Sequence, residues 1–274
     1  MYIDTINIIN NQFVFDNNTL NFLNTTFIPS DITIHHLSSV TSTQDLMKNQ
    51  HDDFYISNHK RYIAITAEQQ TNGKGKAQNI FKSPIGGGYI TIKTPLDISK
   101  HFSKQPWHLL CAVMQSLCMT LTYFDIPIDD FVWKWPNDLL FKQLKCAGIL
   151  IEYIAKHNHH ELIIGLGINI NTAIDQLPDN TTSLHAITMK PIDTNHFLNQ
   201  LTKQLTETLH IVYTHPKQIN TLYAYKPCIF PRQRLNIITN KKTITNTFIN
   251  NMDSGKISLG NKEMILPSTI QVIY

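Results

Sequence analysis

The sequence predicts an α+β fold, a mixed or antiparallel sheet carrying helices, followed by a small β-barrel. Three observations lead there. The runs FVWKW, AGILIEYI and ELIIGLGINI follow one another between residues 131 and 170 with only short polar connections, which suits antiparallel pairing and not a doubly wound parallel sheet. Two longer segments each carry one apolar stripe at helical spacing: Leu109, Val113, Leu117 and Leu121, then Phe197, Leu201, Leu205 and Leu209. From about Lys226 only short strand-like pieces remain, RLNIIT, TITNTFINN, KISLG, EMILP and TIQVIY, with Asn, Asp and Gly at the turns.

Taken in order, residues 1–32 are rich in Asn and Thr and lack helical periodicity, so they read as an irregular or strand-containing lead-in. ITIHHL, from Thr33, is a strand. SVTSTQDLMKNQ then turns into a helix capped by Ser42 or Thr43, whose hydroxyls can accept from free amides of the first turn. RYIAITA, residues 61–67, is a β-branched strand ending in a polar loop from Glu68 to Gly87, and GYITIKT is the next strand. A helix over 105–124 precedes the three closely spaced strands, whose connections are WPND and the polar tip HNHH. A second long helix starts near Asp193 or Thr194. The composition shift places a domain boundary near Ala224, giving 1–224 and 225–274.

Composition excludes several classes. A chain of 274 residues buries a sizeable core without staples. Cys111, Cys118, Cys146 and Cys228 form no CxxC pair, so they read as reduced core thiols and not as a disulfide frame or zinc site. No apolar run reaches the roughly 18 residues of a membrane span and the N-terminus lacks a cationic leader pattern, so a cytoplasmic protein is expected. The formal charge of +3 is far from the clustered basic face of a nucleic-acid binder, but suits a phosphate-bearing small ligand. His157, His159 and His160, with His35 and His36, invite a metal reading, but the first three lie on the hairpin tip with no Cys or carboxylate at ligand spacing and read as solvated turn histidines.

Three clusters carry candidate chemistry. In EQQTNGKGKAQNIFKSPIGGG, Glu68 to Gly88, Gly73 and Gly75 allow close backbone approach while Lys74 and Lys76 supply two ammonium groups. The loop could wrap an anion or be simply solvated; its spacing is not that of a Walker loop. In KWPNDLLFKQLKCAGILIE, Lys134 to Glu152, a polar turn can present Asn137, Asp138 and Lys145 towards one pocket, Lys145 as a compact cation against phosphate or carboxylate. The bland alternative is a hairpin with a surface lysine. GLGININ offers glycines for backbone approach and Asn169 and Asn171 as amides, or else a strand bending at glycine.

Together, in this order and at these separations, SSVTSTQ, QTNGKGKAQNIFKSP, KWPND with KCAGILIE, and GLGININ resemble the catalytic domain of the biotin-protein ligases across residues 33–171. That resemblance implies a biotin/lipoate ligase-like catalytic domain and an SH3-like C-terminal domain. It also implies a two-step reaction in which the carboxylate of biotin attacks the α-phosphate of ATP, with Mg²⁺, and a lysine of a biotin carboxyl carrier domain then takes the acyl group. By the same resemblance, Lys145, Asp138 and Lys76 are catalytic. Ser42, Thr43, Gln70, Lys74, Lys145 and the segments Gly86, Gly87, Gly88 and Gly148, Ile149, Leu150 bind biotin. Lys74, Lys76, Phe81, Asn137, Asp138, Lys145 and Asn169 bind ATP, with Phe81 stacking on adenine. No separate structural metal is implied. Residues 1–32 are too short and too aperiodic for a winged helix, so an enzyme-only type that binds no DNA is expected; a homodimer is compatible with the family.

The chain departs from the family pattern where the loop arginines are Lys74 and Lys76, a later glycine and arginine are Gln78 and Asn79, the tryptophan is Phe81, and the asparagine of the Ser-Thr-Asn segment is Gln44. Lysine keeps the charge but loses the bidentate fork, so a weaker hold on the adenylate is expected. Two other functions stay open at this level: a lipoate or octanoate ligase or transferase, and a degenerate biotin-binding protein.

Overall fold

The computed structural model describes residues 32–49, 62–76, 79–94, 98, 106–134, 137–156 and 159–215, with short strands at 8–9, 12–13, 235–238, 243–247, 251–253, 256–259, 262–265 and 270–273. A small hairpin, β1 (Ile8–Ile9) and β2 (Gln12–Phe13), precedes the main body. The body contains β3 (Ile32–Val40), α1 (Thr43–Asn49), β4 (Tyr62–Gln70), β5 (Gly88–Lys93) and α2 (Pro106–Tyr123). β6 (Phe131–Lys134), β7 (Asp138–Phe141), β8 (Leu144–Lys156), β9 (His159–Ile168), α3 (Leu184–Thr188) and α4 (Thr194–Thr214) complete it.

The strands pair in the order β3-β4-β5-β9-β8-β7-β6. All neighbours are antiparallel except β3 and β4, which run parallel with α1 between them in sequence, so the sheet is mixed as expected. Two features differ from the sequence reading. β4 runs on through Glu68 to Gln70, because its pairing with β3 continues to Val40 opposite Gln70. Between FVWK and the long apolar strand lies β7, closed by a tight turn in which Lys142 and Gln143 take φ of 44° and 74°. Such turns usually announce themselves by Asn or Gly, and this one does not.

Period-2 alternation divides the sheet into two faces. Tyr62 and Ala64 of β4, Ile90 and Ile92 of β5, and Ile164, Leu166 and Ile168 of β9 join the main core under α2 and α4. The helices supply Leu109, Val113, Leu117 and Leu121, and Phe197, Leu201, Leu205 and Leu209, all essentially without solvent exposure. Both predicted stripes are therefore the packed ones. On the opposite face Ile65, Ile154 and Ile163 meet Met47 of α1 in a smaller cluster. That face carries α1 and leaves room beside it.

Beyond α4, β10 (Leu235–Ile238) pairs β11 (Thr243–Thr247), and β12 (Asn251–Asp253), β13 (Lys256–Leu259) and β14 (Lys262–Ile265) form a three-stranded antiparallel sheet. The last strand, β15 (Ile270–Ile273), lies parallel to Ile151–Ile154 of β8. The expected boundary near residue 224, Cys228 and the histidine His157 lie outside the described residues. No helix among the described residues is long and apolar enough to cross a membrane.

Candidate active site

Glycines on the free face of the sheet open the site. Gly148 of β8 pairs with Gly167 of β9, which pairs with Tyr89 of β5, while Asp138 of β7 sits opposite Gly148. Along this row the two central positions have no side chain, and the ring of Phe81 fills the notch. A methyl on Gly167 would lie 2.5 Å from the Phe81 ring, and one on Gly148 3.1 Å from it. The Lys145 ammonium stands 5.4 Å from the centroid of the same ring, a cation–π distance.

The glycine-lysine loop is pinned over the notch and not loose. Gln70 N donates to Ser83 O, Phe81 N to Gly73 O, and Gly75 N to Asn79 O, so residues 70–75 and 79–83 run back along each other as the two arms of an irregular hairpin. Lys74 pairs with Asp45 of α1 at 3.4 Å. Lys76 makes no ion pair among the described residues and lines the cavity. Asn79 is exposed, and Gln78 lies outside the described residues.

α1 brings the other wall. Ser42 caps it, accepting from Asp45 N at 3.2 Å, which aims Thr43 and Gln44 at the sheet. Thr43 N and Oγ1 both donate to Gln70 Oε1, at 2.8 and 3.1 Å, and Gln70 Nε2 donates to Ser83 Oγ. The resulting cavity, about 260 Å³, is lined by Thr43, Gln44 and Gln70 on this amide-and-hydroxyl wall, and by the cations Lys74, Lys76 and Lys145. Asn137, Asp138 and the strand segment Gly148, Ile149, Leu150 complete the part foreseen from sequence. Lys145 Nζ is 2.7 Å from Asp138 Oδ1, which also accepts from Asn137 Nδ2, so these three form one contiguous group, and the third catalytic candidate, Lys76, lines the same cavity without an ion pair to them.

Other candidates stand behind the lining. Ser42 is the helix cap. Gly86, at φ 95°, accepts from Asn171 N, and Tyr89, buried beneath, donates from its hydroxyl to Pro84 O at 2.6 Å, locking the turn that carries Gly86, Gly87 and Gly88. Burial pushes the Tyr89 phenol well above its usual range, so it is a neutral donor. Asn169 donates to Thr182 O, tying the loop before α3 to the strand end, and its Oδ1 is buried without a partner among the described residues. The reading from sequence did not single out Thr91, Leu166, Ile80 and Ile90 of the lining, whereas Gly165 and Gly167 are the glycines of GLGININ expected to allow close approach. Thr91 and Gly165 are cross-strand partners, a relation that only the register between β5 and β9 creates. Among the described residues no group of three or more His, Cys, Asp or Glu could hold a metal ion by itself.

The class that this fold and site are similar to is given by residues 37–169, which match the model of the Biotin/lipoate A/B protein ligase family. More particularly, the likeness is to biotin-protein ligases, as the sequence motifs implied. The bifunctional ligase/repressor BirA of Bacillus spizizenii is 32% identical over 135 residues, 47% of this chain and 40% of that protein. The biotin–[acetyl-CoA-carboxylase] ligase of Mycobacterium tuberculosis is 24% identical over 143 residues, 52% of each. The matched segment thus spans about half or less of these relatives. The solved biotin protein ligase of Aquifex aeolicus, in complex with biotin and ATP, superposes with a TM-score of 0.69 at 23% identity, covering 87% of this chain and 97% of that one. The Leishmania major ligase with biotinyl-5-AMP gives 0.54 at 21% identity, covering 88% and 100%.

Proposed function

We propose that this protein is an ATP-dependent biotin-protein ligase. The observation that carries the reading is a single cavity joining an amide-and-hydroxyl wall, suited to a cyclic urea, to three ammonium groups, suited to a carboxylate and phosphates. In the first step an oxygen of the biotin carboxylate attacks the α-phosphorus of ATP, the bond to the β-phosphate oxygen breaks, and pyrophosphate leaves. In the second the amine of a carrier lysine attacks the acyl carbon, loses its proton, and expels AMP. Both steps gather negative charge at one phosphate, so positioned cations are the main resource.

In this reading Lys145 contacts the carboxylate and the α-phosphate, exchanging its pairing with Asp138 for the substrate. Lys74 and Lys76 hold phosphates or the adenylate, and Thr43 and Gln70 receive the urea. Gly148, Ile149 and Leu150 flank the acyl chain. Phe81 covers the bound nucleotide, and Ser42, Gly86, Gly87, Gly88 and Asn169 act from behind by holding the walls. A single carboxylate beside an amide fits a magnesium ion that arrives on ATP and not one resident in a protein cage; Asp138 and Asn137 would meet it there, where it neutralises phosphate charge. The same reading takes a biotin carboxyl carrier domain of a carboxylase as protein substrate, places the enzyme in the cytoplasm without DNA binding, allows a homodimer, and takes residues 225–274 as an SH3-like domain after a catalytic domain ending near 224.

ATP–pyrophosphate exchange tests it, run with biotin, lipoate, octanoate or no acid and with Lys145→Ala as control. Exchange that requires biotin and is lost in the variant is expected. Exchange driven by lipoate or octanoate instead would reassign the substrate.

A further inference from the structure

Glu152 closes the KCAGILIE motif, yet it is not part of the cavity lining. It is 4% exposed on the site face of β8, where its carboxylate accepts from Gln44 Nε2 at 2.8 Å and pairs with Lys48 at 3.1 Å. Gln44 is itself buried, and its Oε1 lies against Gly165, where a methyl group would approach to 2.4 Å. An ionised carboxylate only accepts, so the Gln44 amide must turn its nitrogen to Glu152 and its oxygen to Thr91.

The rest of the wall is equally directional. The backbone N–H of Thr43 only donates, so Gln70 must present its oxygen there, and the Thr43 hydroxyl also donates to that oxygen. One rotor remains. The Thr91 hydroxyl, fully buried, has one proton and two acceptors in reach: Thr43 Oγ1 at 2.9 Å and Gln44 Oε1 at 3.2 Å. When its proton goes to Gln44, Thr43 Oγ1 keeps both lone pairs for the cavity. With the Gln44 amide reversed, Thr91 would accept there and spend its proton permanently on Thr43, leaving that oxygen one lone pair and a fixed acceptor direction.

We infer that Glu152 is a positioning residue that sets the hydrogen-bond polarity of the ligand wall through Gln44 and Thr91, keeping Thr43 Oγ1 available as an acceptor for an N–H donor of the substrate head group. This rests on the proposed ligase reading for the identity of that donor, a urea N–H. It also gives the longer Gln44, in place of the family's asparagine, a defined task.

The test is steady-state pyrophosphate exchange in Glu152→Gln, which allows the Gln44 amide to reverse, and in the double variant Gln44→Glu with Glu152→Gln, which again turns an acceptor to Thr91. The single variant is expected to raise KM for biotin about tenfold, the equivalent of one hydrogen bond, with kcat and KM for ATP within about twofold, and the double variant to recover most of it. An unchanged KM in Glu152→Gln, or a double variant no better than the single, overturns the inference. A ligand-free measurement separates it from the ligase reading: the Gln44 side-chain amide should show a shifted, exchange-protected N–H resonance that Glu152→Gln abolishes. A protected amide without biotin-dependent exchange would overturn the ligase reading and leave the polarity device standing. An unprotected amide in the wild type overturns the device whatever the substrate.

Discussion

Gly167 shows how one missing side chain organises the site. Alanine there would place a methyl 2.5 Å from Phe81, so the ring must leave the notch and the lysine above it loses its platform. Gly167→Ala is expected to cut biotin-dependent exchange at least tenfold with a modest effect on thermal stability, since the ring can move outwards; a variant with full activity would show that Phe81 need not sit there. Lys76 makes the complementary case. Unlike Lys74 it makes no ion pair among the described residues, and arginine at this position would add a bidentate grip on phosphate. One such charge-assisted bond contributes about 1.5 to 3 kcal/mol, so Lys76→Arg should slow release of the adenylate by roughly one to two decades, and an unchanged off-rate would refute the idea. These residues were legible in sequence as types at fixed spacing. That Phe81 would rest on two glycines from different strands was not, because β8 and β9 meet only through their register.

At the scale of elements, α1 is short and depends on its first turn. Ser42→Ala removes the cap and should cost about 0.5 to 2 kcal/mol in urea unfolding, while raising KM for biotin because Thr43 and Gln44 ride on that turn. α4 offers a pH signature. Glu207 is 7% exposed in the helix, and burial raises its carboxyl pKa above the usual value, only partly countered by Lys203. The folded state therefore holds that proton more tightly than the unfolded chain, so stability falls as pH rises from the ordinary carboxyl range through the raised folded value. Glu207→Gln should be more stable than wild type at pH 7 and no more so at pH 3, measured by thermal melts. Both long helices were readable from their stripes because burial on one side is written at a spacing of three to four residues. β7 was not, because four residues and a turn lacking Asn or Gly carry too little pattern, and Asp138 lies in it.

For the whole molecule, the pairing of β15 with β8 ties the C-terminus to the sheet that carries the site. Deleting residues 270–274 should lower the melting temperature by several degrees and reduce amide-exchange protection at Ile151–Ile154, the segment next to Glu152; unchanged protection would show that this pairing contributes nothing. The division of the sheet into a helix-covered face and a face bearing α1 and the cavity is likewise a property of the assembled chain. By itself the sequence determined the α+β class, the two packed helical stripes, the lysines and amides of the motifs, and the resemblance to biotin-protein ligases, because periodicity and motif spacing are local quantities. Only the tertiary structure decided that Ser42 caps while Thr43 faces the cavity, that Thr91 joins the lining opposite Gly165, and that Glu152 lies buried behind the wall, bonded to Gln44. Those relations arise from strand register and packing between segments as much as 108 residues apart, and no local pattern encodes them.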